Sequence, residues 1–132
     1  MKAAYIDTSL LIGLKFEESS SALIRTVQKY DLFSSELLIA EVLAFGKRES
    51  IPESLLWDAV KGLSWIIPED TLTEQLARVI GPGYARGADL WHLACACYLS
   101  PNPQDLAFLT LDERQRSLAS HLGFHAPSLE EL

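Results

Sequence analysis

Cationic side chains are scarce in this chain: 132 residues carry 11 Lys and Arg against 18 Asp and Glu, a formal net charge of −7. That balance excludes nonspecific adhesion to nucleic acid or anionic membrane through a broadly basic surface, and leaves room for a concentrated acidic site or a basic partner. Cysteine is nearly absent too. Cys95 and Cys97 stand two apart in a helical pattern and so point to different sides, which argues against a disulfide or a metal pair. They read as small core residues in a reduced compartment. No apolar run reaches the roughly 20 residues that span a bilayer. The N-terminus lacks the cationic-then-apolar layout of a secretory leader, so a cytoplasmic protein with no membrane association is expected. Gly81-Pro82-Gly83 is not followed by the Gly-Lys-Ser/Thr of a phosphate loop. No Ser–His–Asp or Cys–His arrangement, linker or internal repeat stands out.

What is present suffices for one domain over residues 1–132, since 48% of the residues are hydrophobic and a chain of this length buries a single core. The segment Lys2-Ala3-Ala4-Tyr5-Ile6 reads as a short buried strand, followed by Asp7 and a helix over residues 10–16 capped by Thr8 or Ser9. A second helix is expected over 19–29 and a strand over 31–34. Ser35 then caps a helix over 36–48, and Pro52 opens another over 53–63 as a first-turn proline. Residues 65–67 form a third strand. Asp70 or Thr71 caps a helix running to about residue 80. A helix over 88–99, a strand over 106–109, a helix over 113–122 and a candidate edge strand over 124–126 complete the pattern. Strands separated by helices imply βαβ units, hence an α/β fold whose parallel sheet of four or five short strands carries helices on both faces.

Ligands of open α/β sheets bind at the carboxyl ends of the strands. Asp7 ends the first strand and Asp112 follows the fourth. Asp89 starts a helix that can face the same edge, and Glu41 interrupts an apolar helix, a costly place for a carboxylate without a partner or a metal. Each acid also has a purely structural reading. Asp7-Thr8-Ser9 is good turn and capping chemistry, Asp89 suits a helix dipole, Asp112 can cap the last helix, and Glu41 can face solvent. Gathered at one edge, the four would repel one another unless a cation intervened. Their all-oxygen donor set points to one or two Mg²⁺ or Mn²⁺ ions rather than zinc, and to phosphoryl-transfer chemistry.

The run Tyr5-Ile6-Asp7-Thr8-Ser9-Leu10-Leu11-Ile12 resembles the opening motif of PIN-domain proteins, especially the VapC-type toxins of toxin–antitoxin pairs. Ser35 through Glu41-Val42 is similar to their second motif. Gly87-Ala88-Asp89-Leu90-Trp91-His92-Leu93-Ala94 resembles the third, and Leu109-Thr110-Leu111-Asp112-Glu113-Arg114 the fourth. The resemblance runs from end to end. It implies a three-layer α/β/α sandwich and a Mg²⁺- or Mn²⁺-dependent ribonuclease, often a homodimer, held inactive by a cognate antitoxin.

Carried over by motif, Asp7, Glu41, Asp89 and Asp112 are the expected catalytic and metal residues, with Thr8, Ser9 and Thr110 as supporting hydroxyls. His92 lies one turn beyond Asp89, but the His-Leu-Ala segment reads chiefly as packing, and His121 and His125 lie far from the motifs. RNA needs cations along its backbone. Arg86, Arg114 and Arg116 are best placed to supply them, whereas Lys47 and Arg48 read as helix C-terminal charges. Trp57, Trp65, Leu37, Leu38 and Phe45 are either core or an apolar face for a second copy or an antitoxin. Two competing readings stay open: a PIN-like binding module without turnover, whose acidic pocket receives a basic partner segment, and a metal phosphohydrolase acting on small phosphate esters or DNA.

Overall fold

Successive residues of the first strand point into different cores, and this alternation sets the architecture. Ala4 and Ile6 lie in one apolar cluster and Tyr5 in the other, as the period of two in a strand dictates. A computed structural model describes residues 1–129 and 132 of the chain. Its elements run β1 (Lys2–Ile6), α1 (Thr8–Phe16), α2 (Ser21–Val27), β2 (Tyr30–Ser35), α3 (Glu36–Arg48), α4 (Glu53–Ala59), β3 (Ser64–Ile66), α5 (Thr73–Val79), α6 (Gly87–Leu99), β4 (Ala107–Leu109) and α7 (Glu113–Leu122), with a 3-10 turn at Pro103–Asp105. Among the described residues the sheet has four strands in the order β3-β2-β1-β4, all parallel. Leu10, Leu23, Leu38, Val42 and Leu56 cover one face of it. Val79, Leu93, Ala96, Leu118 and Phe124 cover the other. The fold is therefore α/β, with helices flanking a parallel sheet on both faces. No helix among the described residues is long and apolar enough to cross a membrane.

Several boundaries differ from the sequence expectation, each for a local reason. Asp7, not Thr8 or Ser9, caps α1: its Oδ1 accepts from the Leu10 amide at 3.2 Å. The carboxylate already stands where the chain leaves the strand (φ −93°, ψ 176°), so Thr8 and Ser9 fall inside the first helical turn. Ser35 occupies the N-cap of α3 but makes no capping hydrogen bond there, because its hydroxyl instead pairs with Tyr5 Oη at 3.1 Å. Pro52 sits at the N-cap of α4 rather than in its first turn, and α4 stops at Ala59. The α5 helix starts at Thr73 without a side-chain cap, so neither Asp70 nor Thr71 serves as one. The expected edge strand at 124–126 reduces to a single bridge between His125 and Ala107.

Cys95 and Cys97 are buried and unpaired, and burial pushes the Cys95 thiol up to about 11. At neutral pH it is a protonated thiol packed in the core. Of the apolar residues singled out earlier, Leu38 is fully buried and Trp57 is 44% exposed. The α4 helix therefore contributes to the core through Leu56 and Ala59 rather than through Trp57. Phe108→Ala is expected to destabilise by about 3–5 kcal/mol and Trp57→Ala by about 1 kcal/mol or less. Urea unfolding of the two variants checks the contrast, and comparable losses would contradict this account of the core.

Candidate active site at the carboxyl edge of the sheet

Asp7 is 3% exposed and accepts three hydrogen bonds. Oδ1 takes the Leu10 amide at 3.2 Å and the Ser9 hydroxyl at 2.7 Å, and Oδ2 takes the Thr110 hydroxyl in a short contact. Those hydroxyls are themselves held from behind. The Leu111 amide donates to Ser9 Oγ at 3.1 Å, and the Asp112 amide to Thr110 Oγ1 at 3.0 Å. The turn after β4 is thus latched to the turn after β1 through two hydroxyls that donate hydrogen bonds to one carboxylate. Burial lifts the Asp7 carboxyl above the ordinary range, while Thr110, Ser9, His92 and the Leu10 amide hold it back.

Glu41 is the second anchor. Thr8 Oγ1 donates to its Oε1 at 2.7 Å, and His92 Nε2 lies 2.7 Å from the same oxygen. Burial pushes this carboxyl up, but the hydrogen bonds from His92 and Thr8 and the attraction of His92 outweigh it, leaving Glu41 below its usual value. Because Glu41 is then an acceptor, Nε2 is the ring nitrogen that carries a proton toward it. The other ring nitrogen, Nδ1, meets Tyr5 Oη at 2.6 Å. His92 is 1% exposed and held at both nitrogens. Read from sequence as packing, it is in fact the link between the Tyr5 core and Glu41. The signal available was its place three residues after Asp89, which puts both on one face of α6.

Asp89 and Asp112 come from the starts of α6 and α7. Asp112 does cap its helix, accepting the Gln115 amide at 3.0 Å, so its structural reading holds whatever else it does. Glu41, Asp89 and Asp112 line one cleft of about 470 Å³ together with Arg86, Ala88 and Arg114. Inside it, burial and then the neighbouring Asp112 raise the Asp89 carboxyl; Glu41 adds to the effect, while His92 and Arg86 oppose it. Arg116 is committed elsewhere: its guanidinium pairs with Glu113 and donates to the Ala126 carbonyl, and it is not among the residues lining the cleft. Lys47 and Arg48 end α3, as expected.

Sequence reasoning passed over Gln115. It is buried, its Nε2 donates to the Asp89 carbonyl at 2.9 Å, and its Oε1 finds no hydrogen-bond partner among the described residues. The clue was its position three and four residues before Leu118 and Ala119, on the buried stripe of α7.

The donor set suits a hard divalent cation in kind, being all oxygen on the rim of one cleft. It is not closed around one point, since among the described residues no three Asp, Glu, His or Cys side chains are close enough to hold a metal. No protein-family model matches the chain, and no curated protein matches it either.

The raised carboxyl fixes the sign of one expectation. A carboxylic acid whose pKa is raised by folding stabilises the fold while protonated, and loses that contribution as pH rises through its folded value. Asp89→Asn should therefore melt above the wild type at pH 7, with the gain shrinking as the pH falls from the raised folded value to the ordinary carboxylate one. Calorimetry across that range checks it, and a variant melting lower at neutral pH would refute a carboxyl raised by burial and by Asp112. His92→Ala should instead cost about 1–3 kcal/mol at pH 7, because it strands the buried Tyr5 hydroxyl and takes a donor from the half-buried Glu41.

Proposed function

We propose that this chain is a PIN-type, metal-dependent endoribonuclease that hydrolyses phosphodiester bonds in RNA, and that it is the toxin of a type II toxin–antitoxin pair. One observation carries the reading. The four motifs, far apart in sequence, meet at one sheet edge through side-chain hydrogen bonds that run Asp7–Thr110, Thr8–Glu41 and Glu41–His92, beside a cleft rimmed by Glu41, Asp89 and Asp112. An accidental set of turn and cap residues has no reason to converge in this way.

Glu41, Asp89 and Asp112, with the more deeply buried Asp7, would hold Mg²⁺ or Mn²⁺. Such an ion supplies a nucleophilic water and neutralises charge on the phosphoryl group. The remaining roles belong to the chain itself. Ser9 and Thr110 hold Asp7 as an acceptor. Thr8 and His92 fix the Glu41 carboxylate. Arg86 and Arg114 bring positive charge to a backbone phosphate entering an otherwise acidic cleft. In the same reading an antitoxin offers a basic segment to that cleft, and the chain pairs as a homodimer.

The second reading, a binding module without turnover, draws on a different observation. Both oxygens of Asp7 already have donors, and the carboxylates of the cleft are not gathered to metal-binding distance. A partner's guanidinium could satisfy them as well as a metal.

Incubating the purified chain with tRNA, rRNA and single-stranded DNA in Mg²⁺, Mn²⁺ or EDTA decides between them. The nuclease predicts discrete RNA fragments that vanish in EDTA. It also predicts losses of about 100-fold or more in Asp7→Asn and Asp89→Asn, the scale of removing one group that steadies transition-state charge. Cation-induced thermal stabilisation without cleavage of any substrate would favour the binding module. Metal-dependent cleavage confined to DNA would overturn the RNA assignment.

A further inference from the structure

Gln115 is held in a way that fold stability does not account for. Its side chain is buried, Nε2 donates to the Asp89 carbonyl at 2.9 Å, and Oε1 meets no hydrogen-bond partner among the described residues. A buried amide oxygen left unmet costs stability that an apolar side chain of the same shape would not. Nor does the Asp89 carbonyl need the bond, because it lies in the first turn of α6, where the helix itself offers an amide four residues on. The neighbours of Gln115 in α7 face elsewhere. Glu113 pairs with Arg116. The Arg114 guanidinium lies over the Tyr84 ring, 6.0 Å from its centroid, in an open depression that shares Arg114 with the acidic cleft. Of Glu113, Arg114 and Gln115, only Gln115 is buried. It touches both acid-bearing segments, since its backbone amide donates to Asp112 Oδ1 at 3.0 Å while its side chain reaches the Asp89 backbone.

We infer that Gln115 is a positioning residue of the cleft: it braces the start of α6 against the start of α7, fixes the separation of Asp89 and Asp112, and thereby sets how tightly the pair holds a divalent cation. The inference rests on the nuclease reading above. Asp89 and Asp112 line one cleft with Glu41, and like charges there push the two helix starts apart. The bond from Gln115 opposes that push through the Asp89 backbone, so the Asp89 carboxylate is left to a ligand. Contacts one step behind the donor atoms orient those donors, and losing one typically lowers cation affinity by about 10- to 100-fold. A side chain that merely filled space would do so as well, or better, without its amide.

The test sets cation affinity against stability in the full chain. Gln115→Met keeps the volume but removes both the donor and the unmet oxygen, so its urea midpoint should equal or exceed that of the wild type. Its affinity for Mn²⁺, titrated by electron paramagnetic resonance without substrate, should nevertheless fall by about 10-fold or more. Amide hydrogen exchange in the first turn of α6 should quicken as well. Leu118→Val, on the same buried stripe of α7, should lower the urea midpoint and leave Mn²⁺ affinity unchanged. Wild-type Mn²⁺ affinity or unchanged exchange in Gln115→Met overturns the brace, as does an equal loss of affinity in Leu118→Val. Cleavage assays on the same proteins keep the two ideas apart. Metal-dependent RNA cleavage with Mn²⁺ affinity indifferent to Gln115→Met leaves the nuclease standing and removes the brace. Mn²⁺ affinity that depends on Gln115, without cleavage of any nucleic acid, keeps the brace and removes the nuclease. A wild type that binds no Mn²⁺ overturns both.

Discussion

The structure depends most on how one buried carboxylate is satisfied. Asp7 stands where β1 ends, nearly closed to solvent, and an ionised acid in that position is costly unless donors surround it. It receives three, from an amide and two hydroxyls. The hydroxyls belong to different parts of the chain, Ser9 in the first turn of α1 and Thr110 after β4, and each is backed by an amide of the 111–112 turn. Meeting the demand of one side chain thereby fixes the start of a helix, the spacing of two adjacent strands and the path of the turn that carries Asp112. Fold and candidate site share the same bonds.

A second constraint follows from charge. Glu41 is drawn below its usual value by His92 and Thr8, whereas Asp89, in the same cleft, is raised by burial and by Asp112. Two neighbouring carboxyl groups are thus pushed apart in acidity by their surroundings, a pattern typical of functional sites. Glu41 belongs to the scaffold, tied through His92 to Tyr5 and so to the core. Asp89 carries the repulsion and is the group that a cation, or a partner's basic side chain, would relieve. Gln115 ties the Asp89 backbone to α7, so the two helix starts bearing Asp89 and Asp112 are held together without either carboxylate being consumed in doing so.

The lone arginine shared between the acidic cleft and the Tyr84 depression gives the surface its asymmetry. On one side the chain offers carboxylates with two guanidinium groups at their rim. On the other the Arg114 guanidinium lies over the Tyr84 ring, beside Glu113, Ser117 and Leu118. A chain with an excess of acids can engage a polyanion only where its cations are concentrated against that background. Arg116, spent on Glu113 and Ala126, shows that proximity in sequence to a site acid does not place a cation in the site.

The amino-acid sequence by itself determined the class of the fold and the order of its elements. Tyr5 between Ala4 and Ile6 writes the two-faced strand, and helical apolar spacing such as Leu38–Val42 writes the flanking layers. Both are local periodicities that survive any rearrangement of partners. It also marked Asp7, Asp89 and Asp112 as acids at strand ends and a helix start, and Glu41 as an acid out of place on an apolar helix, and the structure gathers their four segments at one sheet edge. Tertiary structure decided the rest. Whether Asp7 or Thr8 caps α1 turned on which oxygen stood nearest the Leu10 amide. That His92 grips Glu41 rather than merely packing depended on α3 and α6 approaching at the sheet edge, 51 residues apart in the chain. That Arg114 reaches the cleft and Arg116 does not depended on which way each side chain leaves α7. These outcomes rest on distances between residues remote in sequence, and a hydrogen bond is decided within a few tenths of an ångström, which no local pattern encodes.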